Sequence, residues 1–248
     1  VTAANDAPTS TNDSLTVLED SIAILSVSDF GTYSDAEGDA LSAVQITALP
    51  TSGTLEYYSG AVWVPVVVDP EIPATKIEIG HLRYVPAADA SGSPYTTIGF
   101  AVGDGTDFSG DYLLSINVTS VNDAPTISID TVESFDEDAP PLPEAGDEVA
   151  TYSVDDADGA ADIASLVVSF ASATDLYTLD QNGKVYLTQA AVDRINAGVE
   201  LDPISLVVTD AGGLTGGASA TPTVTAANDA PTSTNDSLTV LEDSIAIL

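Results

Sequence analysis

The chain reads as all-β, a tandem of antiparallel β-sandwich modules joined end to end by short linkers, and three observations predict it. The first is repetition. Asn-Asp-Ala-Pro-Thr stands at Asn5–Thr9, at Asn122–Thr126 and at Asn228–Thr232, so the copies lie 117 and 106 residues apart (122 − 5 and 228 − 122). Those intervals are domain-sized and far above a solenoid period. The second is patterning, since short β-branched and aromatic runs alternate with Gly, Pro, Asp and Ser clusters. The third is proline placement: Pro50, Pro65, Pro70, Pro73, Pro86 and Pro94 fall between or at the ends of the runs, where a missing backbone donor costs least, and they argue against helices in the first module.

Residues 1–25 and 224–248 are identical, which gives a period of 223 residues holding two modules. The boundaries follow: 1–4 end a preceding module, 5–121 form module one, 122–227 form module two, and 228–248 open a third that stops inside its second strand. Module one is expected to have strands at 14–17, 22–27, 43–48, 54–58, 62–68, 82–85, 97–102 and 112–118. Module two is expected to have them at 126–129, 149–154, 166–170, 177–179, 184–187, 204–208 and 218–224, with a hairpin turn at Asp180–Gly183. Helical spacing is confined to 188–198, where Ala191, Val192 and Ile195 recur and Gly198 supplies the stop. The segment 228–248 is expected to be an appendage.

Composition narrows the function. Four Lys and Arg face 39 Asp and Glu, a formal charge of −35, which repels nucleic acid and anionic membranes and attracts cations. A hydrophobic fraction of 44% in short runs argues for folded modules over acidic disorder. There is no Cys, so neither disulfides nor thiolate metal sites are available. No apolar run approaches the length of a membrane span and no signal segment opens the sequence, as expected of an interior slice of a longer secreted chain.

The acids are placed in register between the modules. Glu19-Asp20 lies 14 residues after Asn5, and Glu137-Asp138 lies 15 after Asn122. After the next strand come Asp35-Ala-Glu37-Gly-Asp39 and Asp155-Asp156-Ala-Asp158-Gly; before the last strand come Asp104 and Asp210. Carboxylates this dense raise one another's pKa unless a cation neutralises them, and Ca²⁺ is the hard cation that takes six to eight oxygens from flexible loops. The bland reading of the same acids is a solvated surface. Asp180 reads as a turn former, and His81, the one histidine, reads as structural.

Val121-Asn-Asp-Ala-Pro-Thr126 after an alternating strand, with Leu18-Glu-Asp20 and Asp35-Ala-Glu-Gly-Asp39, resembles the tandem cadherin-like repeats of giant bacterial RTX and biofilm adhesins. Module one is similar to the class carrying Leu82-Arg-Tyr-Val-Pro86, Ile98-Gly-Phe-Ala-Val102 and Gly103-Asp-Gly105. Module two resembles a more typical cadherin repeat in Gly183–Leu187 and Leu206–Asp210. The resemblance implies Ig-like, cadherin-like Greek-key sandwiches with calcium at the linkers. Carried over, one ligand set is Glu19, Asp20 and Asp89 with Asn122, Asp123, Asp155, Asp156, Asp158 and Asp210. A second is Asn5, Asp6, Asp35, Glu37, Asp39 and Asp104; a third, incomplete, is Glu137, Asp138, Asn228 and Asp229. Ser120 and Ala124 depart from the animal cadherin linker. The implied protein is a monomeric, non-enzymatic extender on the bacterial cell surface whose partners are its neighbouring modules and calcium ions.

Two other functional classes have less support in the sequence. Catalysis has little material: no Cys, one His, no His-Glu-x-x-His and no Gly-x-Ser-x-Gly, which leaves only a paired-carboxylate glycosidase among the acids. A carbohydrate- or ice-binding head is the alternative, with Trp63, Tyr57 and Tyr58 as an aromatic platform; their alternation along strands reads more simply as core and face packing.

Overall fold

The computed structural model describes residues 4–227 apart from 69 and 139, and the expectation for 228–248, with Asn228 and Asp229, lies outside the described residues. Two compact units result. The first holds residues 4–124 and takes in Asp156–Ala164; the second holds Pro125–Asp155 and residues 165–227.

In the first unit the strands are β1 (Asp13–Leu18), β2 (Ala23–Ile24), β3 (Ala43–Ala48), β4 (Thr54–Tyr58), β5 (Trp63–Pro65), β6 (Glu71–Pro73), β7 (Leu82–Val85), β8 (Gly92–Gly103) and β9 (Tyr112–Thr119), with short helices α1 (Ala74–Glu78) and α2 (Ala160–Ile163). They form a five-stranded sheet in the order β1-β9-β8-β3-β6 and a four-stranded sheet in the order β2-β7-β4-β5. All pairs are antiparallel except β1 with β9, which run parallel with Asp13 opposite Leu114 and Leu18 opposite Thr119. The period-2 alternation of each run turns Val44, Ile46, Leu55, Leu82, Ile98, Phe100, Leu114 and Ile116 into one buried core, where Phe30 meets Phe100 edge to face at 5.2 Å. Tyr84 is also fully buried; its hydroxyl donates to Ser52 O at 2.8 Å, and burial pushes its pKa well above the ordinary tyrosine value.

The second unit is built from β10 (Thr126–Val132), β11 (Ser134–Asp136), β12 (Glu148–Asp155), β13 (Val167–Phe170), β14 (Tyr177–Leu179), β15 (Lys184–Leu187), β16 (Ile204–Thr209), β17 (Thr215–Ala220) and β18 (Thr223–Thr225), with helix α3 (Gln189–Ile195). Its sheets are β10-β12-β15-β14 and β13-β16-β17, plus the parallel pair β11-β18. Val149, Leu176, Val185, Leu187, Ala191, Ile195, Ile204, Leu206 and Val208 close the core. Tyr177 lies among them, its hydroxyl donating to Asp202 O at 2.6 Å and its pKa pushed up to about 12 by burial. Asp180 does form the expected turn: its Oδ1 accepts from the N–H groups of Asn182 and Lys184, both at 3.0 Å, and Gly183 takes φ 92.

The departures from the expected strands have local causes. The run 22–27 gives only β2, because Ser26 N and Oγ both donate to Asp29 Oδ2 (2.6 and 2.8 Å) and start a 3₁₀ turn over Val27–Phe30. The run 62–68 shortens to Trp63–Pro65: Pro65 has no N–H, and beyond it Val67 and Val68 are exposed. Prolines do not exclude helix from module one, since Pro73 sits at the N-cap of α1, where the absent N–H costs nothing. Strand β17 starts at Thr215 rather than 218 and carries Gly216 and Gly217. A Cβ on Gly216 would lie 2.1 Å from Pro125 O, so this glycine serves close backbone approach rather than a loop. The helix expected over 188–198 is observed as α3, with Thr188 as its N-cap, its Oγ1 accepting from Ala191 N at 3.4 Å.

The 3₁₀ turn exists to deliver Phe30 to the core. Phe30→Ala removes a fully buried ring and is expected to cost about 3–5 kcal/mol. The check is guanidinium denaturation, where the first unit's midpoint falls while its slope is unchanged.

Candidate metal centre

The loops that follow β1 and β7, the segment after β9 and the loop around α2 bring five carboxylates of the first unit together. Ligand atoms of Glu19, Asp123 and Asp158 lie within 4.8 Å of one another, and so do those of Asp20, Asp89 and Asp123, so Asp123 belongs to both groups. The backbone builds the site. Glu19 is 4% exposed at the end of β1; its N–H donates to Thr119 O at 3.0 Å and its Oε1 accepts from Val121 N at 2.6 Å. Asp123 N donates to Asp158 Oδ2 at 2.7 Å, and Asp158 N donates to Asp156 Oδ1 at 3.0 Å. Asp20 and Asp89 both take left-handed φ of 54, a turn conformation that aspartate tolerates better than most non-glycine residues.

Electrostatically the centre is uncompensated. Asp123 Oδ2 is buried and has no hydrogen-bond partner. Burial first, then the carboxylates of Asp20, Asp89, Asp158 and Glu19, hold the Asp123 carboxyl above its ordinary value. Among the described residues the ion pairs are Arg83–Glu56, Lys184–Glu148 and Arg194–Asp202, which places three of the chain's four basic residues elsewhere. An all-oxygen donor set with a buried, partnerless carboxylate oxygen, in no ion pair among the described residues, fits a hard divalent cation.

A second acidic cluster lies at the leading end of the same unit. Asn5 Nδ2 donates to Asp104 Oδ2 at 3.0 Å and to Asp107 Oδ2 at 2.9 Å, while Asp6 N donates to Glu37 Oε2 at 3.2 Å. Asp35 Oδ1 accepts from the N–H groups of Glu37 and Asp39, and its Oδ2 is buried without a hydrogen-bond partner. Hydrogen bonds from Asp107 N, Thr106 N and Asn5 hold the Asp104 pKa below its ordinary value. These acids are bridged by amide groups and do not converge as the five around Asp123 do. Asp107 was not singled out from the sequence, although its spacing from Asp104, three residues along one loop, was a readable signal.

The remaining acids divide. Asp156 is 6% exposed and orients Asp158, whereas Asp155 is exposed at the end of β12. Asn122 Nδ2 turns back to Asp123 O at 3.3 Å. Asp210 is 8% exposed, and its Oδ1 accepts from Leu214 N at 2.8 Å to close the turn into β17. Glu137 repeats Glu19: its N–H donates to Thr225 O at 3.0 Å and its Oε2 accepts from Ala227 N at 2.9 Å, with Asp138 beside it at φ 63. The aromatic residues Tyr57, Tyr58 and Trp63 are half-buried. Tyr57 packs on the core, and Trp63 is engaged by Tyr58 at 5.4 Å and by the Arg83 guanidinium at 4.1 Å.

No family model matches the chain, and no curated protein matches it. Solved structures do. Protocadherin gamma B2 extracellular cadherin domains 3–6 align with a TM-score of 0.52 at 15% identity over 88% of this chain and 47% of that one. The protocadherin gamma B4 extracellular domain aligns at 0.54 and 17% over 90% and 33%, and PcdhgB3 EC1-4 at 0.56 and 19% over 92% and 52%. The chain therefore spans about a third to a half of these structures, and it has a cadherin-like β-sandwich fold. No described helix is long and apolar enough to cross a membrane.

The Glu19 hydrogen bond separates charge from geometry. In metal-free buffer Glu19→Ala strands the Val121 N–H and is expected to cost about 1–3 kcal/mol. Glu19→Gln keeps an acceptor and removes one repelling charge, so it should melt at or above the parent. Equal losses in the two variants, measured by thermal unfolding, would refute the assignment.

Proposed function

We propose that the chain is a calcium-stiffened extender segment of a large secreted bacterial surface adhesin, holding a distal ligand-binding domain away from the cell. The observation that carries this reading is Asp123, whose carboxylate belongs to two groups of oxygens that could ligate a metal, keeps a buried oxygen without a hydrogen-bond partner, and is in no ion pair among the described residues. Bound Ca²⁺ supplies the missing positive charge. The residues that would hold it are Glu19, Asp20, Asp89, Asp123 and Asp158, with Asp156 positioning Asp158. Glu19 precedes the linker by about a hundred residues and Asp158 follows it by thirty-five, so an ion shared by them and Asp123 fixes the linker backbone to chain on both of its sequence sides.

The fold supports an adhesion-type, non-catalytic role, since cadherin-like sandwiches are the architecture of the extracellular domains named above. The tandem repeat favours length over a unique binding surface: an array whose sequence recurs every 223 residues gains reach with each copy. Asn5, Asp6, Asp35, Glu37, Asp39, Asp104 and Asp107 are proposed as a second ion site, and Glu137, Asp138, Asn228 and Asp229 as part of a third.

Calcium binding to the folded state alone stabilises it by about 2.7 kcal/mol at a hundred times the dissociation constant. Chelation is therefore expected to lower the melting temperature and to broaden the distribution of dimensions in solution scattering. Asp123→Asn together with Asp158→Asn should abolish most of the calorimetric calcium signal while both units still fold. Identical scattering and melting curves with calcium and with chelator would sink the proposal.

A further inference from the structure

A module in an extender is loaded through its two ends, and the first unit joins those ends directly. Strand β1, which receives the chain from the leading linker, pairs in parallel with β9, which hands it to the next, over six consecutive rungs from Asp13–Leu114 to Leu18–Thr119. Glu19 N–H to Thr119 O at 3.0 Å and Val121 N–H to Glu19 Oε1 at 2.6 Å extend the ladder past the strand ends. Beneath it Val17, Leu114, Ile116 and Val118 are buried, so separation of the strands also exposes apolar surface.

We propose that the β1–β9 ladder is a shear clamp that carries tension across the first unit and shields the residues between the two strands from load. The reason is geometric. In a parallel pair, pulling the first strand from its start and the last strand from its end drives the strands past each other, so every rung is strained at once. The same hydrogen bonds pulled from one end would part in sequence, each net worth only about 1 kcal/mol. Forced unfolding is governed by the barrier to rupture, so loading the rungs together raises the force required even though the folded-state stability is the same. The second unit repeats the device in shorter form: β11 and β18 pair in parallel over three rungs, with Glu137 N–H to Thr225 O at 3.0 Å in the place of the Glu19 bond. A parallel pairing of the last strand with a strand near the start of the unit, β1 in the first and β11 in the second, recurs in two units of different length, as an end-loaded array requires. The inference rests on the extender reading for the origin of the load and on the topology alone for the clamp.

The chain has no Cys, so introduced thiols give unique attachment points for single-molecule force spectroscopy. Handles on Asp13→Cys and Thr119→Cys load the ladder in shear. Handles on Asp13→Cys and Asp111→Cys lie at the same end of the ladder and peel it. Thr119 and Asp111 are exposed, and exposed Ser14 replaces Asp13 in both pairs if that position disturbs folding. The shear pair is expected to rupture at a severalfold higher force than the peel pair, in calcium and in chelator alike. Equal rupture forces in the two geometries would overturn the clamp, whatever the chelation experiments say of the extender.

Discussion

Repulsion among carboxylates that the fold holds together is the constraint on which the rest of the structure turns. A chain of charge −35 could spread its acids over open surface, where water and salt would screen them. Instead the loops around Asp123 gather five in one place and turn backbone N–H groups toward two of them: Val121 N–H on Glu19 and Asp123 N–H on Asp158. Such bonds fix direction but bring no net charge. They leave the Asp123 carboxyl above its ordinary value and one of its oxygens buried without a partner. The geometry is thus prepared and the charge unbalanced, the combination expected where the missing component is a cation and not another side chain.

The same backbone devices recur along the chain at positions more than a hundred residues apart. A glutamate directly after the strand that pairs in parallel with the last strand, β1 or β11, accepts the N–H of the residue just before the linker Asn, from Val121 to Glu19 and from Ala227 to Glu137. The linker Asp in turn donates its own N–H to a carboxylate in a later loop, from Asp6 to Glu37 before β3 and from Asp123 to Asp158 after β12. Each linker is thereby held by acceptors that come from far along the sequence. Surface acidity retained only for solubility would not require these hydrogen bonds to recur at corresponding positions.

Much of this was legible in the sequence, for physical reasons that also mark where legibility ended. Long alternating runs such as Ala43–Ala48, Thr54–Tyr58 and Lys184–Leu187 were readable because one face must be buried and the period is fixed at two. Local hydrogen bonding was harder to weigh against that period, and so Ser26 with Asp29 turned an expected strand into the 3₁₀ turn that seats Phe30. Gly216 looked like loop and is strand, because its lack of a side chain answers to the Pro125 backbone, which no local pattern reveals. At the site, the acidic clusters holding Glu19, Asp123 and Asp158 were readable as sequence patterns, and the fold brings those three residues together. The convergence of Asp20 and Asp89 on Asp123 depends on tertiary placement, and spacing alone could not separate them from Asp155 or Asp210.

Glu19 joins the two functional readings. Its N–H extends the β1–β9 ladder and its carboxylate accepts from Val121 while belonging to one of the ligating groups. A side chain fixed at both points cannot swing away from its site without loosening the last rungs, and strands that slide must carry the carboxylate with them. On the proposed reading an ion on Glu19 would resist sliding in addition to neutralising charge, because displacement along the ladder would pull one ligand away from Asp123 and Asp158. Stiffness at the linker and resistance within the unit then share a residue, which gives a physical reason for the acidic turn to begin immediately where β1 ends.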